Sequence, residues 1–248
     1  MNINFEREVK LFMVFDILGD TVRSGPILWC IDRDRIEDVK NHILDLLLIF
    51  RFIEKYLPDD IDKEAIFDYI ICHDLPEAIT GDITKFQGVS QEEIDRVTKI
   101  AIDYLISCFN GVMDLETILN SYEEKRDIEA KIVSLIDKVH SATTLLKYAS
   151  EKEIDLDDPR IIPELLPYVK MAKEKDKDLG DLFYDYHRNN IKISNNECIK
   201  YNISREYADQ ILFVINGFID EFYKQKVNGT LLNVSETFPS DAAIYKRS

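Results

Sequence analysis

The sequence predicts an all-α fold. Apolar residues recur three and four positions apart along most of the chain, no segment alternates apolar and polar residues long enough to build a sheet, and Gly and Pro are scarce. Eight Gly and seven Pro among 248 residues are roughly half the usual share of about 12%, too few for the many tight turns of a sandwich or barrel. Hydrophobic residues make up 46% of the chain and aromatics 10%, enough to fill a sizeable core. The length suits one domain, or at most two small ones.

Each helix has its own signal. The first is read from Val9, Phe12, Met13, Asp16 and Ile17, and is broken by Gly19 and Gly25-Pro26. A second runs from near Asp34 through Val39, Ile43, Leu46, Leu47, Phe50 and Ile53 to Leu57, where Pro58 stops it. A third is expected over 62–80, with Gly81 just past its end. Pro76 lies inside it, lacks an N–H and clashes with the carbonyl of Cys72, so the helix should kink or restart there. A fourth covers about 90–108, and a long one runs over roughly 123–150 through Ile128, Ile132, Leu135, Ile136, Val139, Thr143 and Leu146. After Ser150, Asp155-Leu-Asp-Asp-Pro159 is a turn-rich acidic connection, and the charge run Lys170 to Asp178 reads as a solvated helix face. Aromatic and aliphatic residues return at helical spacing over 181–187 and 205–224, so the C-terminal part is expected to pack onto the earlier helices.

Charge and cysteine usage exclude several classes. With 31 Lys+Arg against 47 Asp+Glu, the formal net charge is −16. That field repels phosphate backbones, and no basic run of the length of a nucleic-acid patch occurs, so nucleic acid is not an expected partner. Cys30, Cys72, Cys108 and Cys198 form no CxxC pair, which points away from a zinc ribbon or disulfide framework and toward a reducing cytoplasm. Met1 to Glu6 lacks a basic region followed by an apolar stretch, and the aliphatic cluster Leu46–Phe50 is bracketed by Asp45 and Arg51. Neither secretion nor a membrane partner is expected.

The chemistry concentrates in Ile70-Ile-Cys-His-Asp-Leu-Pro-Glu-Ala-Ile-Thr-Gly-Asp82, where Asp74, Glu77 and Asp82 fall within nine positions of an otherwise apolar stretch. Three acids there require compensation. Standing alone, His73-Asp74 proves little, and Asp74 as a helix cap with Glu77 in water is its plain reading. The break at Pro76 instead lets His73 and Asp74 turn toward one point, as a shared cation would require, and imidazole with carboxylate suits Mn²⁺, Co²⁺, Fe²⁺ or Zn²⁺ better than Cu(I) or Ca²⁺. Two further donors are available. His42 sits near the start of the second helix, and Asp137 interrupts an apolar face, where a salt bridge to Lys138 or a cap is its other reading. His140 and His187 are read as structural.

In order, His42, then His73-Asp74, then Asp137-Lys138 resembles the H…HD…D signature of the HD-domain metal-dependent phosphohydrolases. The strings Arg23-Ser-Gly-Pro…Trp29…Arg35-Ile-Glu-Asp-Val…His42 and His73-Asp-Leu-Pro-Glu-Ala-Ile-Thr-Gly-Asp82 resemble the branch containing the bacterial 5′-deoxynucleotidases. The likeness covers roughly residues 10–150. It implies an all-helical HD-domain bundle; together with the helical spacing read after Ser150, the chain is expected to be one domain over 1–248, with a metal-site core over about 10–150, additional C-terminal helices over about 151–226 and a peripheral tail over 227–248. It implies one divalent cation, Mn, Co, Fe or Zn with Mg as a further candidate, held by His42, His73, Asp74 and Asp137. It also implies catalytic roles for Glu77 and Asp82 beside the water and the scissile phosphate, Arg23 near the phosphate and Trp29 against the sugar. Asn41 departs from the family, which usually has an acid before the histidine, and this weakens the expected support of His42.

From these residues Glu77 is assigned as the base that deprotonates water, and Asp82 either protonates the departing 5′-oxygen or binds a sugar hydroxyl. Arg23 supplies a planar fork for phosphate. Lys85 and Lys138 are read either as phosphate-side cations or as solvated surface lysines, and Trp29 either as core packing or as a sugar or base contact. The expected reaction is hydrolysis of nucleotide phosphomonoesters, 2′-deoxynucleoside 5′-monophosphates first, to nucleoside and phosphate. Its rivals are an HD hydrolase of a triphosphate or alarmone-type nucleotide, and a metal-bound regulatory module without turnover. A homodimer is compatible with the sequence, with the aromatic-rich segment 181–224 as the contact.

Overall fold

In a computed structural model, which describes residues 5–32, 34, 36–109 and 111–229 apart from the side chain of Lys85, the described residues form helices and no strand, save one isolated bridge between Val22 and Asp38. In chain order the helices are α1 (Glu6–Ile17), α2 (Ser24–Leu28), α3 (Val39–Ile53), α4 (Lys63–Cys72), α5 (Glu77–Thr80), α6 (Gln91–Phe109), α7 (Leu115–Glu124), α8 (Ile128–Ser150), α9 (Leu166–Lys175), α10 (Leu179–Asn190), α11 (Asn195–Lys200) and α12 (Arg205–Val227). The peripheral tail expected over 227–248 lies outside the described residues from position 230 onward.

Part of the acidic excess sits at helix starts. Asp38, Asp62, Asp114, Asp127 and Asp178 each accept a backbone N–H from the first turn of α3, α4, α7, α8 and α10, satisfying an orphan donor and placing negative charge at the positive end of the helix dipole. Ser194 and Glu197 form a reciprocal capping box on α11.

Three boundaries differ from the sequence reading. The second helix starts at Val39 and not near Asp34, because Asp38 is extended and caps it, accepting from Asn41 N at 2.8 Å. The stretch 62–80 is two helices, α4 ending at Cys72 and α5 restarting at Glu77 across Pro76. The long helix starts at Ile128 and not at 123, because Lys125 adopts a left-handed conformation (φ 47°) that ends α7 and Asp127 caps α8.

α8 is the axis of the molecule. It lies against α3, α4, α10 and α12, so Ile132, Val133, Leu135, Ile136, Val139 and Leu146 are almost wholly buried on several sides. α10 approaches α8 closely enough that a Cβ on Gly180 would stand 2.9 Å from Ala149 Cβ and 3.1 Å from Leu146 Cα, which is why glycine occupies this position. α12 joins the same core through Ala208, Ile211, Ile215 and Ile219. A second, smaller core gathers Trp29, Ile31, Leu145, Tyr148, Ile161, Leu165, Val169 and Leu179, where the segment after α8 folds back over α2. The site lies between these two cores.

Candidate metal centre and adjoining cavity

Three elements deliver the polar cluster. His42 lies on the first turn of α3 and is completely buried, His73 and Asp74 occupy the turn after α4, and Asp137 projects from the middle of α8. His42 Nε2 stands 3.4 Å from Asp74 Oδ2 and 3.4 Å from Asp137 Oδ1, and His73 Nε2 stands 3.3 Å from Asp74 Oδ2. The four side chains expected to ligate a cation are thus brought together.

Hydrogen bonds on the far sides of the rings fix what these atoms present. His73 Nδ1 is 2.9 Å from the carbonyl of Ile70, so it carries the ring proton and leaves Nε2 a lone pair. His140 Nε2 lies 3.2 Å from Asp45 Oδ2 and 3.6 Å from Glu37 Oε2, while His140 Nδ1 is 2.8 Å from His42 Nδ1. In a neutral pair, His140 donates from Nε2 to Asp45 and accepts at Nδ1 from His42, again leaving His42 Nε2 a lone pair. Two imidazole lone pairs therefore face two carboxylate oxygens, and His42 Nε2, His73 Nε2 and Asp74 Oδ2 are buried without a hydrogen-bond partner. Such an arrangement is repulsive unless a cation occupies the centre. Donor separations of 3.3–3.4 Å are those of ligands held at about 2.0–2.2 Å from a first-row ion. The residues fit a divalent metal.

The electrostatics agree. Burial first, and then Arg23, push the His42 imidazole down to about 4, so it is neutral at pH 7 as a ligand must be. Burial opposes ionisation of Asp137, and the Arg23 guanidinium works the other way, lowering its carboxyl. Arg23 stands just before α2 with Nη1 3.8 Å from Asp74 Oδ2 and Nε 3.9 Å from Glu37 Oε1. Burial works against its charge, but Asp137, Asp74, Asp82 and Glu77 more than restore it. Its backbone N–H donates to the carbonyl of Glu37 at 3.2 Å, beside the Val22–Asp38 bridge, which pins it to the start of α3.

Glu77 opens α5 and has one carboxylate oxygen buried without a partner. Burial, followed by Asp74 and Asp82, raises it well above the usual carboxylate range. Asp82 follows Gly81, whose φ of 71° turns the chain back toward α2. There Asp82 Oδ2 accepts from Ser24 N at 2.6 Å, Ser24 Oγ donates to the Asp82 carbonyl, and burial raises the carboxyl. A cavity of about 420 Å³ opens beside the cluster, with Arg23, Glu37, Asp82 and Trp29 among the residues that line it. Trp29 serves both readings, since it is 3% exposed and yet lines the cavity. The side chain of Lys85 lies outside the described residues.

Sequence reasoning missed several neighbours of the cluster. His140, read as structural, stands with Nδ1 2.8 Å from His42 Nδ1 and holds that ring in place. The Asn41 amide donates to Asp38 Oδ2 at 2.7 Å, and the residues behind the His42 ring are His140 and, beyond it, Asp45 and Glu37. Lys125 lies over the Tyr122 ring at 3.2 Å from its centroid, and that ring packs edge-on against His73 at 5.1 Å. Burial pushes the Lys125 amine down to about 8, with Glu123, Asp137 and Asp74 opposing.

The HD-domain family model matches residues 16–160, more than half of the chain. The chain belongs to the HD-domain family. The matched segment contains His42, His73, Asp74, Asp137, Arg23, Trp29, Glu77 and Asp82. Among curated proteins, the 5′-deoxynucleotidase hdd1 of Schizosaccharomyces pombe is 32% identical over 94 residues, 36% of this chain and 48% of the relative. The 5′-deoxynucleotidase HDDC2 of Xenopus laevis is 22% identical over 142 residues, covering 56% of this chain and 69% of the relative. The Dictyostelium discoideum HDDC2 is 25% identical over 122 residues, or 46% and 64%. The chain thus spans about half the length of the first of these relatives. HD domains are metal-dependent, and the convergence of His42, His73 and Asp74 gives this one a group able to hold an ion. No helix among the described residues is long and apolar enough to cross a membrane. The walls supplied by α9 and α10 lie beyond the family match.

Proposed function

We propose that this HD-domain protein is a divalent-metal-dependent phosphohydrolase of nucleotide phosphomonoesters, with 2′-deoxynucleoside 5′-monophosphates as its foremost substrates. The observation that carries the reading is Glu77: a half-buried carboxylate with one oxygen buried and unpartnered, beside a set of lone pairs that a cation reconciles. Metal retention alone would not require it.

An ion held by His42, His73, Asp74 and Asp137 supplies Lewis acidity toward a phosphoryl oxygen and acidifies water. The donor set suits Mn²⁺, Co²⁺, Fe²⁺ or Zn²⁺, with Mg²⁺ as a weaker match. Arg23 offers its guanidinium to the phosphate as a fixed fork, already charged and anchored by Glu37 and Asp74. Glu77 accepts a proton from the attacking water, a task for which an elevated pKa is apt. Asp82 has Oδ2 fixed by Ser24 N, and its burial-raised carboxyl delivers a proton to the departing 5′-oxygen as the P–O bond breaks. The products are nucleoside and inorganic phosphate. The net charge of −16 favours a small-molecule substrate over a polynucleotide, and the four free cysteines favour a reducing cytoplasm.

Phosphate release from deoxy- and ribonucleoside mono-, di- and triphosphates, with Mn²⁺, Co²⁺, Mg²⁺ or chelator, tests the reading. Release from the monophosphates with metal and none with chelator is expected. Preference for triphosphates would shift the assignment to another nucleotide, and no turnover with any metal would overturn it.

A further inference from the structure

The cavity beside the metal cluster is lined by two unlike sets of residues: the charged Arg23 and Asp82, and an aromatic box of Trp29, Phe86, Tyr168 and Phe183 with His187. The box is built ring against ring: Trp29 meets Phe183 edge-on at 5.7 Å, Phe86 meets Tyr168 edge-on at 6.2 Å, and Tyr168 and Phe183 lie nearly parallel at 6.3 Å. Trp29 and Phe86 come from the segment matched by the family model, whereas Tyr168, Phe183 and His187 come from α9 and α10, beyond residue 160.

Aromatic side chains gathered only to stabilise a core would close on one another at native packing density. These instead border about 420 Å³ of open volume, within the range of small-molecule sites. His187 adds a polar group that structure alone does not require. Its ring stacks on Phe183 at 6.1 Å, and Nδ1 is buried with no hydrogen-bond partner, a loss of about 1–3 kcal/mol for a group that water would satisfy. Burial pushes its pKa down to about 4, so it is a neutral imidazole at pH 7. A planar, apolar-faced slot with one neutral hydrogen-bonding group at its edge matches a heteroaromatic base, whose faces stack and whose rim carries donors and acceptors.

Resting on the phosphohydrolase reading above, we propose that α9 and α10 supply a nucleobase site in which the base lies among Trp29, Tyr168 and Phe183 and His187 hydrogen-bonds its edge, so that base selectivity resides in the C-terminal extension. Arg23 and Asp82 belong to the HD core, so the charged and the aromatic linings of one cavity then hold the phosphate and the base of one nucleotide.

The only tryptophan of the chain, Trp29, stands in the wall and reports occupancy. Titrating the full-length protein with each of the four 2′-deoxynucleosides, with and without Mg²⁺, is expected to give a saturable change in its fluorescence for at least one base. In His187→Phe the nucleoside Kd should rise about tenfold, the worth of one buried hydrogen bond, and His187→Gln should recover part of the loss. In the same variants the ratio of kcat/KM for the preferred nucleotide to that for 2-deoxyribose 5-phosphate, which has no base, should fall by a similar factor through KM. No saturable change with any nucleoside up to about 10 mM, or a ratio left unmoved by His187→Phe, overturns the base site. Nucleoside binding without phosphate release from any ester would leave the base site standing and remove the hydrolase reading, so the two failures are distinguishable.

Discussion

The metal cluster and the aromatic box share one cavity but are held by different physics. In the cluster, His42, His73, Asp74 and Asp137 are fixed by hydrogen bonds behind the rings and by charges that cannot be left uncompensated. In the box, Trp29, Tyr168 and Phe183 are fixed by packing alone, through edge-on and stacked contacts. The first arrangement tolerates almost no substitution without loss of chemistry. The second tolerates repacking and so is where specificity can vary.

The largest effect separating the two regions is expected at Glu77. Glu77→Gln should lower kcat by about 10²–10⁴ while elemental analysis still finds the ion. Retained activity would remove Glu77 as the base. Next comes His140. Replacing it by Ala strips the partner of His42 Nδ1 and should weaken metal affinity about 10–100-fold, measured by competition with a chelator. An unchanged affinity would reduce His140 to packing.

Gly180 tests the same division from the other side. Gly180→Val must push α10 away from α8 at Ala149 and Leu146, at a cost of about 1–3 kcal/mol. The aromatic box should loosen, raising KM more than it alters metal binding. Equal losses in both would show that the two regions are one mechanical unit. In the core shared by both, Leu135→Ala on α8, a fully buried position, should cost about 2–5 kcal/mol in denaturant unfolding.

The smallest effect is expected at Glu197, where α11 is tied to α8. Glu197 accepts from Ser194 N at 2.7 Å and pairs with Lys131 at 2.5 Å, and although burial alone would raise its pKa, these partners hold its carboxyl down to about 2. A carboxyl depressed in the folded state contributes stability that is full above its unfolded pKa of about 4.3 and is lost as pH falls toward 2. Glu197→Gln should flatten that acid limb of the stability curve, and an unaltered limb would contradict the assignment.

The same contrast explains what could be read before the structure was in hand. Acids in an apolar stretch drew attention to His73-Asp74, Glu77 and Asp137, but each alone also read as a cap or a solvated group, and it was the order His42, His73-Asp74, Asp137 that joined them; Pro76 marked the break that ends α4. The apolar periodicity of α8 was equally plain. The N-terminal boundary of α3 was not, because the cap fell to Asp38 and not Asp34, and a string of acids offers several equivalent caps. His140 was missed because a histidine one turn beyond an aspartate carries no distinctive pattern until the partner ring of His42 is placed beside it. The aromatic box was illegible, since Trp29, Phe86, Tyr168 and Phe183 share no spacing and meet only when the chain after α8 folds back over α2.

The central claim is that four side chains remote in sequence bind one cation at one point. Calorimetric titration of Mn²⁺ into chelator-treated full-length protein tests it directly. One ion per chain for the native protein and none for Asp74→Ala is the predicted result. Absence of stoichiometric binding in the native protein, or undiminished binding in Asp74→Ala, would contradict it.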